Sequence, residues 1–289
     1  MLTGSIADDI KHQFRYGNMV MKLIFVNAGV FLFFGIFYLI SFVFQNDTLY
    51  HLVLAKVEMP ASLRTLLYQP WSLFTYMFLH TAPFHVLSNM LWFYWFGEIF
   101  VLYLGDKKVV PLYITGGVSG ALTYLVCYNL LPAFKPYVDV SLMLGASASV
   151  FAIVFAAATI NPEHQFNLIL FGPVRIKYLA VVPLVFDILN IPYGNAGGYI
   201  AHLGGALSGY FFVKALQSGF RFPEIKNPFS RQSKVKMAYK NTEYRQSADK
   251  TVTKSEQQRV DEILDKIARS GYDSLSKEEK DFLFNYSKK

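Results

Sequence analysis

Charge is scarce over the first three quarters of this 289-residue chain. Residues 218–289 hold 16 of the 27 Lys and Arg and 11 of the 20 Asp and Glu, which leaves 20 charged side chains for the first 217 residues. That is about 9%, against about 25% in an ordinary soluble domain, and it fits a membrane-embedded domain. Cysteine is scarcer still: Cys127 stands alone in an apolar run, so no internal disulfide can form and a disulfide scaffold is excluded. With 53% hydrophobic and 17% aromatic residues, a disordered or collagenous chain is excluded as well. The net charge of +7 would suit nucleic acid, but in so apolar a chain basic residues are first explained by cytoplasmic loops. No nucleic-acid partner is expected.

Long apolar runs are what the chain has in their place. Residues 23–44 form an uninterrupted run of 22, long enough to cross a hydrocarbon core of about 30 Å at 1.5 Å per residue. This run lacks a small-residue cleavage site and reads as a retained first span rather than a signal peptide. Further runs lie at 84–104, 109–131, 141–160, 176–190 and 197–216, which predicts six spans. The fifth, at about 15 residues, is short for a straight crossing and is expected to begin earlier or to be shielded by protein.

Loop charges set the orientation. With a cytoplasmic N-terminus, inside segments carry Lys11, Arg15, Lys22, Lys107, Lys108, Arg175, Lys177 and the basic tail, and outside loops carry Lys56, Arg64 and Lys135. Both termini are therefore expected in the cytoplasm. The outside loop 45–83 is long and holds an apolar stretch with Trp71, which predicts structure in or against the outer leaflet. The expected division is a cytoplasmic segment 1–21, a six-span domain 22–217, a linker 218–253 and a helical hairpin 254–289. In the hairpin Val260, Ile263, Leu264, Ile267 and Ala268 share a helical face, Gly271 ends the helix, and Ser276 with Glu279 forms a capping box for the next.

Polar side chains inside spans are costly, about 2.5–3.5 kcal/mol for charged types on insertion scales, and tend to mark function. Here they are few. His85 and Asn89 lie four apart on one face of the second span, residues 145–149 make a small-residue run in the fourth, and Ala201, His202, Gly205 and Gly209 follow one another in the sixth. The second, fourth and sixth spans all enter from outside, so His85, Asn89, Ser147 and His202 fall at similar depth. Taken singly, Gly145 with Ser149 and Gly205 with Gly209 fit ordinary close helix packing. Together the polar residues assemble a hydroxyl, an imidazole and two further polar groups in one pocket, which is what nucleophilic catalysis needs.

At these residues the sequence resembles the rhomboid family of intramembrane serine proteases. The resemblance rests on His85-x-x-x-Asn89, Gly145-x-Ser147 and Ala201-His202-x-x-Gly205-x-x-x-Gly209, in that order on alternate spans. Trp71, His80, Gly97 with Glu98, and Asp187 add to it, over roughly residues 20–216. Three positions depart from the family's pattern: Ala148 follows the serine where glycine is usual, Ser72 follows Trp71 where arginine is common, and Phe151 stands where tyrosine often stacks on the histidine.

The resemblance implies an all-α polytopic membrane protein, a six-helix bundle to which the small cytoplasmic hairpin is appended. It implies a catalytic dyad and an acyl-enzyme, with Ser147 as nucleophile and His202 as general base, and an oxyanion met by the Ser147 backbone N–H and the side chains of His85 and Asn89. Phe151, Gly145, Gly205 and His80 are expected to support the site. Ser149 is a competing serine, but it sits about 200° around the helix from Ser147. Asp187 is a candidate third member, but a carboxylate at a span boundary is expected rather to make a helix-end or loop contact.

Substrates would be transmembrane proteins with an unstable helix near the cut, reached through a lateral gate formed by residues 191–198 and the fifth span. The setting would be a bacterial cytoplasmic membrane, with the lipid bilayer as partner and the tail's own partner unknown. No metal or cofactor is expected, because no His-Glu-x-x-His occurs and Gly105-Asp106 lacks the companion motif of an aspartyl intramembrane protease. Two alternatives remain open: an inactive relative that binds membrane helices, and a transporter, which would need a polar path on the inner side that Glu98 alone does not make.

Overall fold

The structure, a computed structural model, describes residues 6–168, 172–220 and 254–286. The chain divides into two units, Met1–Ser230 and Arg231–Lys289. The expected linker falls almost wholly on residues 221–253, outside the described residues.

The first unit opens with α1 (Ile6–Tyr16) and α2 (Met19–Val43). Asn18 starts α2 by accepting the Met21 N–H through Oδ1 at 3.0 Å. A compact series follows: α3 (Thr48–Val57), β1 (Met59–Pro60), α4 (Leu63–Tyr68), α5 (Ser72–Thr75) and a 3-10 turn at Tyr76–Phe78. Then come α6 (Pro83–Leu104) and α7 (Val109–Leu130), followed by β2 (Leu142–Met143) and α8 (Ser147–Ile160). A hairpin of β3 (Gln165–Leu168) and β4 (Gly172–Arg175) leads to α9 (Ile176–Asn190) and α10 (Ala196–Gln217). This is an all-α polytopic membrane bundle carrying two small two-stranded pairings, β1 with β2 and β3 with β4. Their strands, two to four residues each, are too short for an alternating pattern to announce them.

Among the described residues four helical stretches are long and apolar enough to cross a membrane: Met19–Val43, Pro83–Leu104, Asp106–Leu130 and Ile176–Tyr193. The two other expected spans differ from these for separate reasons. α8 has only 14 residues, because its first part is extended rather than helical. α10 has 22 residues, but glycines, Ser208 and His202 dilute its hydropathy. The short fifth run neither begins earlier nor is shielded. It starts at Ile176, buries only Ile176 and Ala180, and gains its length from a 3-10 turn at Ile191–Tyr193. Its exposed Val181, Val185, Phe186 and Leu189, like Phe33, Ile36 and Phe42 of α2, form apolar surface suited to lipid.

α7 lies at the centre. Its buried Tyr113 donates to the Met77 carbonyl at 2.8 Å and Tyr124 to Ser141 Oγ at 2.7 Å, while Tyr76 donates back to the Gly117 carbonyl at 2.6 Å. Each phenol is thus buried with its hydroxyl paired. The three bonds hold the 59–82 loop and the segment before α8 against α7. Asn129 adds a fourth tie, Nδ2 to the Ala61 carbonyl at 2.9 Å.

α8 packs on α10 backbone to backbone. A Cβ at Gly205 would lie 2.1 Å from the Ala148 carbonyl oxygen, and one at Gly209 would lie 2.1 Å from that of Ala152. Both distances are far inside van der Waals contact, so only glycine permits the approach.

In the second unit α11 (Lys254–Ser270) and α12 (Lys277–Tyr286) flank a turn that begins at Gly271 with φ +78°. The capping box forms as expected: Ser276 N–H donates to Glu279 Oε2 at 2.7 Å and Glu279 N–H to Ser276 Oγ at 3.3 Å. The apolar face is narrower than the sequence suggested. Val260 and Ile263 are buried, but Leu264 and Ala268 are exposed, since a two-helix unit covers only one narrow stripe.

Replacing Gly209 by Val forces a branched side chain onto a backbone carbonyl that cannot turn aside. The expected loss is about 3 kcal/mol or more, read as a lowered thermal midpoint of the detergent-solubilised protein.

Candidate active site

Ser147 is the first residue of α8. The β1–β2 pairing sets Met143 opposite Met59, and the Gly145 N–H donates to the Tyr76 carbonyl at 3.0 Å. The chain then turns at Gly145, whose φ of +128° disfavours any side chain. A Cβ there would also meet His85 Cε1 at 2.9 Å. Gly145 and Ala146, expected inside a span, therefore precede the helix. Starting a helix at Ser147 leaves its first-turn N–H groups without intrahelical acceptors, that of Ser147 among them.

A cavity of about 670 Å³ opens here, lined by Ser147, His85, Asn89, Phe151 and His202 among others. Its size is that of a small-molecule or peptide-binding site. The Ser147 hydroxyl has no hydrogen-bond partner among the described residues, and such bonds are often long before substrate binds. Phe151, one turn after Ser147, stacks on the His202 ring with centroids 4.4 Å apart and planes 12° apart. At the edge of the same imidazole His202 Nδ1 lies 2.7 Å from Asp187 Oδ2. The helix-end contact expected for Asp187 is replaced by this one.

His80, His85 and Asn89 form a second cluster. Asn89 Nδ2 donates to the His85 carbonyl at 3.0 Å and lies 3.3 Å from His80 Nε2, to which the Ala146 N–H also points at 3.5 Å. His80 Nε2 accepts from both, which assigns its proton to Nδ1. The His80 and His85 rings meet edge to face, 5.0 Å between centroids. His80 thus braces the turn ahead of Ser147 from below.

The departures from the family's pattern have visible settings. A Cβ at Gly120 would meet the Ala148 methyl at 2.5 Å, so that methyl faces α7. Trp71 Nε1 donates to the Lys56 carbonyl at 2.7 Å and ties α5 to α3, while Ser72 is buried with Oγ near Met59 Sδ. Ser149 is fully buried with Oγ 3.9 Å from Met77 Sδ, away from the cavity lining.

Sequence reasoning missed Glu58, which lines the same cavity. Its only signal was a lone carboxylate between an apolar helix and Met59-Pro60. Burial raises its carboxyl above the usual carboxylate range, and His51 pulls the other way.

A family model for the Rhomboid domain matches residues 68–218, just over half of the chain. The chain belongs to the rhomboid family. Every residue that lines the cavity except Glu58 lies inside the matched rhomboid segment. Residues 249–289 match a family of unknown function, DUF6576. RHOMBOID-like protein 12, mitochondrial, of Arabidopsis thaliana is 28% identical over 215 residues, which cover 71% of this chain and 60% of that protein. Rhomboid protease GlpG of Haemophilus influenzae is 26% identical over 170 residues, 57% of this chain and 77% of that one. Presenilin-associated rhomboid-like protein, mitochondrial, of Mus musculus is 29% identical over 143 residues, 47% and 35% respectively. The chain thus spans less than two thirds of the first and third of these rhomboid relatives, 60% and 35% of their lengths.

A carboxyl whose folded pKa exceeds its unfolded value keeps more protons in the fold, so stability falls as pH rises from about 4.5 through the raised value. Glu58→Gln should therefore raise the thermal midpoint in detergent at about pH 7 and leave it nearly unchanged at about pH 4.

Proposed function

We propose that this rhomboid is an intramembrane serine endopeptidase that hydrolyses peptide bonds in or near the transmembrane helices of membrane proteins, with Ser147 as nucleophile and His202 as general base. The observation that carries this reading is the shared cavity: an unengaged serine hydroxyl at a helix start faces the same space as an imidazole held by Phe151 on its face and by a carboxylate at Nδ1. The printed name of the Haemophilus influenzae relative, a protease, supports it.

In the proposed reaction His202 Nε2 takes the Ser147 proton as Oγ bonds to the scissile carbonyl carbon. The tetrahedral adduct collapses, the C–N bond breaks, and the amine leaves with the proton from His202. Water then attacks the acyl-enzyme, His202 accepts its proton, and the ester bond to Ser147 breaks as His202 returns that proton to Oγ. The oxyanion is met by the Ser147 N–H, which α8 leaves free, together with His85 and Asn89. Both Asn89 amide protons have partners at rest, so its part requires one of those bonds to open.

α8 and α10 complete six crossings in this reading. α8 rises only about 21 Å, but α6, α7 and α10 pack around it, and a short helix with free ends is tolerated where protein or a water-filled cavity surrounds it. Both termini, the linker 218–253 and the hairpin 254–289 are assigned to the cytoplasm, and residues 22–217 to the protease domain. α9, thinly buried and contributing Pro183 to the cavity wall, serves with residues 191–198 as the lateral gate.

Wild type and the Ser147→Ala and His202→Ala variants, purified and returned to liposomes with a single-span substrate bearing a small residue at the membrane boundary, test the reading. Cleavage should fall at least about 10³-fold in either variant. Equal cleavage by Ser147→Ala would reject that nucleophile, and no cleavage by any form across several substrates would favour the helix-binding, inactive reading. Cross-linking α9 to α6 should slow cleavage of the membrane substrate, and an unaltered rate would count against the gate.

A further inference from the structure

We propose that Asp187 is a positioning residue that makes the site a triad, Ser147–His202–Asp187, with one member on each of α8, α10 and α9. The proposal rests on the reading of Ser147 and His202 given above. Its basis is the 2.7 Å approach of Asp187 Oδ2 to His202 Nδ1, between side chains that are 16% and 13% exposed.

The carboxylate has no other task that the fold reveals. Asp187 sits in the last turn of α9, where a negative charge works against the helix dipole. Among the described residues no backbone N–H donates to it, so it is not a cap, and no Lys or Arg pairs with it. Its one polar partner is the imidazole.

The chemistry follows from donor and acceptor roles. An ionised carboxylate only accepts, so Nδ1 must carry the proton and the lone pair is left on Nε2, the nitrogen a general base needs. Phe151 fixes the plane of the ring by stacking, and Asp187 fixes its rotation within that plane. When His202 takes the serine proton it becomes a cation beside this anion in a site of low dielectric. That attraction grows as the proton moves onto the imidazole, which is how a carboxylate speeds a step it does not enter. No proton passes to Asp187.

The test uses the full chain in liposomes with the single-span substrate, comparing Asp187→Asn, Asp187→Ala and Asp187→Glu with wild type and with Ser147→Ala. Asp187→Asn should lower kcat by about 10²-fold or more with KM within about twofold, and Asp187→Glu should retain more activity than Asp187→Ala. Nitrogen-15 NMR of imidazole-labelled protein, with His202→Gln to assign the signals, should show His202 protonated at Nδ1 in wild type, and Asp187→Asn should lose that preference.

A kcat for Asp187→Asn within twofold of wild type while Ser147→Ala is inactive would overturn the role of Asp187 and leave the serine–histidine reading standing. A loss expressed as a raised KM with a lowered thermal midpoint would overturn it too, in favour of a purely structural contact. Cleavage by Ser147→Ala would overturn both. If Asp187→Asn does not fold, the wild-type spectrum alone decides, because a His202 proton on Nε2 is incompatible with the proposal.

Discussion

Two glycines of α10 let its backbone lie directly on that of α8, and the geometry of the cavity is inherited from that approach. Gly205 meets the Ala148 carbonyl, one residue beyond Ser147, and Gly209 meets that of Ala152, one residue beyond Phe151. His202 sits one turn before Gly205 on the same helix. The helix that carries the serine and its stacking ring is therefore registered against the helix that carries the imidazole by backbone contact, which side-chain rearrangement cannot loosen. Packing of this kind suits a membrane, where apolar burial drives helix association little and close van der Waals contact must supply it.

Polar bonds set what glycine packing leaves free. Tyr76, Tyr113 and Tyr124 tie residues 76–77 and Ser141 to α7 through their hydroxyls, the first two in bonds that are fully buried. At the start of α2 Asn18 Nδ2 donates to Glu98 at 2.7 Å, and the Met19 N–H donates to Asp106 at 2.6 Å. Glu98 is thus engaged in anchoring the first long helix. The apolar outer faces of α2 and α9 are held by far fewer protein contacts than the buried α8.

Motif residues were legible in the sequence wherever spacing alone decides the face. His85 and Asn89, four apart, and His202 with Gly205 and Gly209 needed no tertiary information to be grouped. What the sequence could not show depends on contacts between distant segments. The start of α8 is set by Met59 pairing with Met143 and by the Tyr76 carbonyl, and no local pattern around Ser141 reports either. Ala148 looks like a loss of space until Gly120 on α7 is seen to receive its methyl. Asp187 reads in the sequence as a boundary carboxylate, a candidate third member ranked below a helix-end contact, because its partner fifteen residues on lies across a turn whose path the sequence does not specify. Leu264 shows the reverse error: its period fits a helix face, yet α12 is too small to cover it.

The point at which α8 begins has one more consequence, and it concerns hydration. A helix that starts at Ser147 leaves the N–H of that cavity-lining residue without an intrahelical acceptor, and in surroundings of low polarity an unpaired amide is expensive. Water is the cheapest remedy in a space of this size with several polar walls. A hydrated cavity is therefore the physical expectation when no substrate is present. For the proposed chemistry, water that solvates the helix start at rest would be the pool from which the acyl-enzyme is hydrolysed.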